Sequence, residues 1–194
     1  MRPHLALSED LPALTETIAS AFADDPVWTW AFPDTAAHRP LYEMFIRAPL
    51  RDGSVWATDG CDAAAVWILP GGEEMTPAVE AELETLVGRF AGPRAAEVSE
   101  LIGSFDATHP HDREHYYLSL LGTHPRARGG GLGMDLLRHN LAQIDRQRMP
   151  AYLESTNPDN DRRYESVGFE KVGEFATPGG ERTVARMWRE PQPL

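Results

Sequence analysis

Apolar positions along the chain follow two periods. Leu11, Leu14, Ile18 and Phe22 recur every three to four residues and predict a helix with one buried face. Ser8 or Asp10 supplies its cap, and Asp24-Asp25-Pro26 ends it. Residues 2–7 ahead of it read as a short strand. The helical spacing returns at Leu41, Phe45 and Ala48, within a helix from about Ala36 to Leu50. It returns again at Val79, Leu83, Leu86, Val87 and Phe90, then at Val98, Leu101, Ile102 and Phe105, with Gly92-Pro93 as the break. A last stripe is Leu132, Leu137, Leu141 and Ile144.

Short continuous apolar runs mark the strands. Ser54–Thr58 and Ala63–Leu69 flank Asp59-Gly60-Cys61-Asp62 as a hairpin, and 169–175 and 183–189 flank Pro178-Gly179-Gly180 as another. Tyr117–Leu121 and Ala151–Glu154 are single strands. Ser155–Asn160 is a loop opening into a short helix over 159–166, closed by Gly168. Ala107–Glu114 is a loop, and Pro191 and Pro193 mark an irregular tail. The rings of Val27–Phe32 show no period and fit either a core plug or a pocket wall. The order of elements calls for a mixed sheet, with antiparallel neighbours and at least one parallel pair joined by the helix after residue 131.

A chain of 194 residues with 42% hydrophobic and 25% charged residues suits one domain over 1–194, with extra helices around 75–106. The net charge of −12 argues against a nucleic-acid binder and mildly favours cationic partners. Cys61, the single cysteine, excludes an internal disulfide framework and sits in a turn-like setting. No basic region followed by an apolar stretch opens the chain, and no apolar run approaches the ~20 residues that span a bilayer. A cytoplasmic protein with no membrane partner is expected.

The chemistry concentrates at Arg128-Gly129-Gly130-Gly131-Leu132-Gly133, between a strand and a helix. Such a turn offers bare backbone N–H groups and a helix N-terminus to an anion. A Walker A loop needs Gly-Lys-Ser/Thr at its end; here Met134-Asp135 follows Gly133, and that reading fails. A dinucleotide fingerprint needs three spaced glycines and an acid roughly 20 residues on. Glu154 stands near that position, but Met134 occupies the place of the third glycine, so an NAD(P)-dependent oxidoreductase is a distant alternative. His109-x-His111 with His115 lacks a carboxylate or thiol at a recognised metal spacing, and no metal is expected.

A third reading is a resemblance. Arg128-x-x-Gly131-x-Gly133 resembles the Arg/Gln-x-x-Gly-x-Gly/Ala signature of the GCN5-related N-acetyltransferases (GNAT), with Thr123-His124-Pro125 where that family carries Val-x-Pro. Asn157, Asn160 and Tyr164-Glu165-Ser166-Val167-Gly168-Phe169 are similar to its downstream segment. Ala21-Phe22-Ala23-Asp24, Val55-Trp56 and Ala65-Val66-Trp67 resemble the puromycin N-acetyltransferase branch. The resemblance implies an α/β (α+β) fold with a central, mostly antiparallel, twisted sheet of about seven strands, flanked by helices and splayed at an acetyl-CoA site. It implies that Leu121, Gly122 and Thr123 face the pantetheine arm and that Arg128, Gly129, Gly130, Gly131, Leu132, Gly133 and Met134 hold the pyrophosphate. Asn157, Asn160 and Tyr164 complete the cofactor site.

The resemblance also makes Tyr164 the general acid toward the leaving thiolate. The family's usual glutamate base falls at Tyr117 here, with Ser119 next on the same face, and neither is an obvious base. Glu114 or His115 stands at the strand's start, Tyr117 and Glu114 are kept as catalytic candidates beside Tyr164, and the base stays open. The acceptor, a small-molecule amine, is expected among Phe22, Trp28, Trp30, Phe32, Trp67 and Tyr117. Direct transfer in a ternary complex by a monomer or homodimer is one outcome; a non-catalytic acyl-CoA-binding module on the same fold is the other.

Overall fold

The structure, a computed structural model, describes residues 2–193. Seven strands form one sheet in the order β1-β2-β3-β4-β5-β7-β6. In chain order these are β1 (His4–Leu5), β2 (Val55–Ala57), β3 (Ala63–Ile68), β4 (Tyr116–Thr123), β5 (Ala151–Ser155), β6 (Glu170–Ala176) and β7 (Thr183–Arg189). Every neighbouring pair is antiparallel except β4 and β5. The helices are α1 (Leu11–Ala21), α2 (Pro26–Ala31), α3 (His38–Arg51), α4 (Pro77–Phe90), α5 (Ala95–Thr108), α6 (Leu132–Arg146) and α7 (Asp161–Glu165). The fold is the expected mixed sheet flanked by helices.

One expectation changes. The run Val27–Phe32 carries α2, too short to show a helical period. Asp25 starts it: its Oδ1 accepts the N–H groups of Val27 at 3.0 Å and Trp28 at 3.1 Å, and Pro26 occupies the first turn, where it loses no helical hydrogen bond.

Two apolar layers clasp the sheet. On one face Val55, Ala64, Val66 and Leu120 pack under α1 to α5; on the other Ala65, Trp67, Leu118, Leu153 and Met187 pack against α6. Leu118 and Leu120 are two residues apart yet belong to opposite layers. Strand alternation would put them on one face. The β3–β4 register explains it: Val66 pairs with Leu120 and Trp67 with Leu118, so Ser119 is an extra, bulged residue.

The parallel pairing of β4 with β5 covers only Tyr116 with Ala151, Tyr117 with Tyr152 and Leu118 with Leu153. Beyond the bulge the two strands part. Residues 120–123 of β4 keep their ladder with β3 and face β5 across a gap. This splay in the middle of the sheet positions everything that follows.

α6 is anchored from below. Asp145 near its C-terminus takes both NH groups of Arg189 on β7, at 2.7 and 2.8 Å, and Arg189 Nε donates to the Val167 carbonyl at 2.8 Å. The pair is buried, with side-chain exposures of 5% for Arg189 and 10% for Asp145. Removing one partner strands the other charge in a dry site. Asp145→Ala should therefore cost about 3–5 kcal/mol in urea unfolding, while Asp145→Ala combined with Arg189→Met costs less than the sum of the single changes.

Candidate active site

The splay opens into two cavities, one on each side of Tyr164. The first, of about 520 Å³, lies between the end of β4, the start of α6 and the C-terminal end of α1. Gly131 is the residue before α6 and adopts φ +76°, a left-handed turn that a side chain would strain. The N–H groups of Gly129 through Met134 make no hydrogen bond among the described residues, so a row of donors at a helix N-terminus faces the cavity.

Gly133 answers a different need from its neighbours. A Cβ there would come within 2.5 Å of Thr123 Oγ1, so its bareness lets α6 start against the end of β4. The Arg128 side chain lines the cavity and is tied to its wall. Its NH2 donates to the Ala21 carbonyl at 2.8 Å, fastening the loop to α1. This chain thus presents an anion cradle built from backbone, which fits the pyrophosphate of a coenzyme; the freed edge of β4 at Leu121 and Thr123 leads from it toward Tyr164.

The second cavity, of about 420 Å³, lies under α4 and α5. Phe22, Trp28, Phe45, Leu83, Ile102 and Phe105 give it an apolar arm. Trp28 stacks on Phe105 with centroids 5.8 Å apart, and Phe105 meets Phe175 edge-on at 5.0 Å, which holds α5 over the opening. The lining also carries six carboxylates, Asp25, Glu73, Glu74, Asp106, Glu114 and Glu154, against a single guanidinium, Arg113.

Tyr164 lines both cavities, as do Phe22, Asp25, Leu121, Asn157 and Asn160. Burial, reinforced by Asp25 and Asp161, pushes the Tyr164 phenol up to about 12, so it holds its proton at neutral pH. Asp25 Oδ2 accepts the Thr156 hydroxyl at 2.6 Å, joining α2 to the loop after β5. Asn157 caps the turn before α7, its Oδ1 accepting the Asp159 N–H at 3.1 Å.

The residues expected around an acceptor divide. Phe22, Trp28 and Tyr117 line the second cavity. Trp30 and Phe32 do not: at 6% and 0% exposure they point into the core from α2. Trp67 is on the opposite face of the sheet, where its Nε1 donates to Asn140 on α6 at 3.1 Å. Gly122, Thr123, Arg128, Gly129, Gly131, Leu132, Gly133 and Met134 line the first cavity, while Gly130 is in the same loop but outside the lining. Glu114 is exposed at the rim of the second cavity. His115 is buried, with both ring nitrogens engaged: Nδ1 is 2.7 Å from the Arg113 carbonyl and Nε2 is 3.1 Å from His109 Nε2. Glu154 lines the second cavity and not the glycine cradle, which removes the acid that a dinucleotide reading requires.

Two carboxylates escape a reading of the sequence. Glu74, in the Gly71–Met75 loop after β3, has an Oε1 without a hydrogen-bond partner among the described residues. Burial pushes its carboxyl up to about 7; the neighbouring Glu154 raises it further, while Ser119 and His109 pull it down. Glu154, at the end of β5, has a side chain only 2% exposed. Glu74 stands by Ser119 at the bulge with Glu154 as its neighbour, and only a three-dimensional view brings them together. No group of three or more metal-capable side chains gathers among the described residues, and no helix is long and apolar enough to cross a membrane.

No protein-family model matches the sequence. Solved structures match along almost the whole chain. A Corynebacterium glutamicum protein described as histone acetyltransferase HPA2 and related acetyltransferase superposes with a TM-score of 0.71 at 24% identity, covering 99% of this chain and 97% of its own. Arylalkylamine N-acetyltransferase 2 of Aedes aegypti gives 0.65 at 16%, covering 98% and 99%. The polyamine N-acetyltransferase of Drosophila melanogaster gives 0.64 at 16%, covering 97% and 99%. The fold is that of the GNAT acetyltransferases.

Glu74 makes stability depend on pH. Its folded value of about 7 lies above the ordinary 4.5, so folding takes up a proton between them. The contribution is full below pH 4.5 and is lost as pH rises through 7, worth about 3 kcal/mol by pH 8. The urea midpoint of the wild type should fall between pH 5 and pH 8, and Glu74→Gln should flatten that fall. Equal slopes for the two proteins would show that Glu74 is not held protonated.

Proposed function

We propose that this chain is an acetyl-CoA-dependent N-acetyltransferase acting on the primary amine of a small molecule. What carries the reading is the meeting of two cavities at Tyr164, one floored by unbonded backbone N–H groups and the other lined by rings and carboxylates. The likeness to proteins named as arylalkylamine and polyamine N-acetyltransferases supports an amine acceptor. The resemblance to the puromycin branch favours an antibiotic-like one. The enzyme works as a single cytoplasmic domain, monomer or homodimer.

The N–H groups of Gly129 to Met134 hold the pyrophosphate, and the β4 backbone at Leu121 and Thr123 pairs with the pantetheine amides in the manner of an added strand. Acetyl-CoA, when bound, supplies a thioester: the amine's C–N bond forms, the C–S bond breaks and the sulfur leaves needing a proton. Tyr164 donates that proton from a phenol kept neutral by burial. For the base we take Glu74 in preference to the rim residue Glu114. Glu74 lies inside the acceptor cavity with a carboxyl near 7, matched to taking a proton from an ammonium at physiological pH. Of the two protons the ammonium gives up, one leaves through Glu74 and the other replaces the one Tyr164 has donated. No side chain is acylated.

A cofactor panel tests the reading. Acetyl-CoA should raise the melting temperature where NAD and NADP do not, and adding amines should release free CoA thiol. Stabilisation by acetyl-CoA without CoA release by any amine would mark a binding module instead. Tyr164→Phe should lower kcat by about 10²–10⁴-fold with little change in acetyl-CoA Kd. Full activity of that variant across pH would remove Tyr164 from the role of acid.

A further inference from the structure

The floor of the second cavity gathers hydrogen-bond acceptors that have nothing to accept from. Neither carboxylate oxygen of Glu154 has a hydrogen-bond partner among the described residues, although its side chain is only 2% exposed. Glu74 Oε1 is buried in the same condition. An unpartnered buried carboxylate is costly, and proteins keep one where a ligand completes it.

His109 borders the same floor: its Nδ1 lies 3.8 Å from Glu154 Oε1 and its Nε2 is 3.1 Å from His115 Nε2.

The Tyr117 and Tyr152 hydroxyls stand beside Glu154 and the Ser119 hydroxyl beside Glu74, near enough to bear on their ionisation, but among the described residues none makes a hydrogen bond to either Glu154 oxygen or to Glu74 Oε1. Arg186, opposite Glu154 in the β5–β7 register, turns its NH1 to the Thr108 carbonyl at 2.9 Å and makes no ion pair with Glu154. It is not part of the cavity lining. What the floor lacks is a compact cation with several N–H donors. Away from the floor, the cavity turns to the apolar arm of Trp28, Phe45, Leu83, Ile102 and Phe105.

We infer that Glu154 and Glu74 form a receptor for a primary ammonium whose attached apolar or aromatic body fills that arm. The inference deepens the acetyltransferase reading by naming its acceptor class, and rests on it only for what happens after binding. An ammonium's three N–H groups spread over the oxygens of two carboxylates, whereas a flat guanidinium directs its donors in one plane. Tyr117 lines the cavity beside them. A second cation on the substrate would lie against rings and methylenes, so short hydrophilic diamines are poor ligands.

Calorimetric titration of the full chain at pH 8 tests this without needing turnover. The probes are 2-phenylethylamine, its uncharged counterpart 2-phenylethanol, and 1,4-diaminobutane. The wild type should bind 2-phenylethylamine at least tenfold more tightly than either of the others. Glu154→Gln should lose at least tenfold for the amine and leave the alcohol unchanged; Glu74→Gln should do the same and serves if Glu154→Gln fails to fold. Equal affinity for amine and alcohol in the wild type, or unchanged preference in a folded variant, overturns the receptor. Equally tight 1,4-diaminobutane overturns the apolar arm. Charge-selective binding with no CoA release from any amine would sink the acetyltransferase reading and leave the receptor standing. Amine acetylation with preference unchanged in both variants would do the reverse.

Discussion

Ser119 is one residue too many for the ladder between β3 and β4, and the rest of the molecule is arranged around that surplus. A bulge bends its strand and shifts the phase of every side chain beyond it. Here the shift sends Leu118 to the α6 layer and Leu120 to the layer under α1 to α5. Past that point β4 keeps β3 and parts from β5, so one edge of a central strand is left without a partner strand. Edges in the middle of a sheet are uncommon because buried N–H and C=O groups must be satisfied. This one borders an open cavity, and α6 closes in on its far end only because Gly133 has no side chain to meet Thr123.

Most of the element order was legible from hydrophobic period, because the buried faces of α1, α3, α4, α5 and α6 are continuous and long. Val27–Phe32 was not: six residues complete too few turns to show a period, and the capping carboxylate of Asp25 decides its shape. The glycine cradle was legible because backbone conformation leaves a mark in sequence, as at Gly131. The acceptor side was legible in part. Rings mark burial but not direction. Trp28 faces a cavity while Trp30 and Phe32, on the same short segment, face the core, and Trp67 lies under α6 on the far side of the sheet. Glu74 and Glu154 are 80 residues apart and sit in unrelated local contexts. Their approach follows from the tertiary path of the loop after β3, which no spacing rule encodes.

The two cavities use opposite electrostatics with different materials. The cradle offers peptide dipoles and loop N–H groups to a negative charge, while Arg128, one of two arginines in its lining, also braces α1. The neighbouring cavity collects carboxylates in spite of the chain's general acidity and accepts the desolvation that raises Glu74. Such a site lowers the stability of the empty protein near neutral pH, a cost consistent with groups kept for chemistry and not for folding. Tyr164, protonated between an anion site and an acidic one, stands where a proton has reason to move.

Phe22, Asp25, Leu121, Asn157 and Asn160 wall both chambers together with Tyr164, so the partition is shared structure and not two separate linings. Thermodynamic linkage then works through it in both directions. If occupancy of the cradle stiffens α1 through the Arg128 brace and thereby sharpens the Phe22 side of the partition, it must tighten the far chamber by the same factor that the far chamber's occupant tightens the cradle. A compulsory order of addition, in such a molecule, would need no lid: it would be a property of one wall serving two rooms.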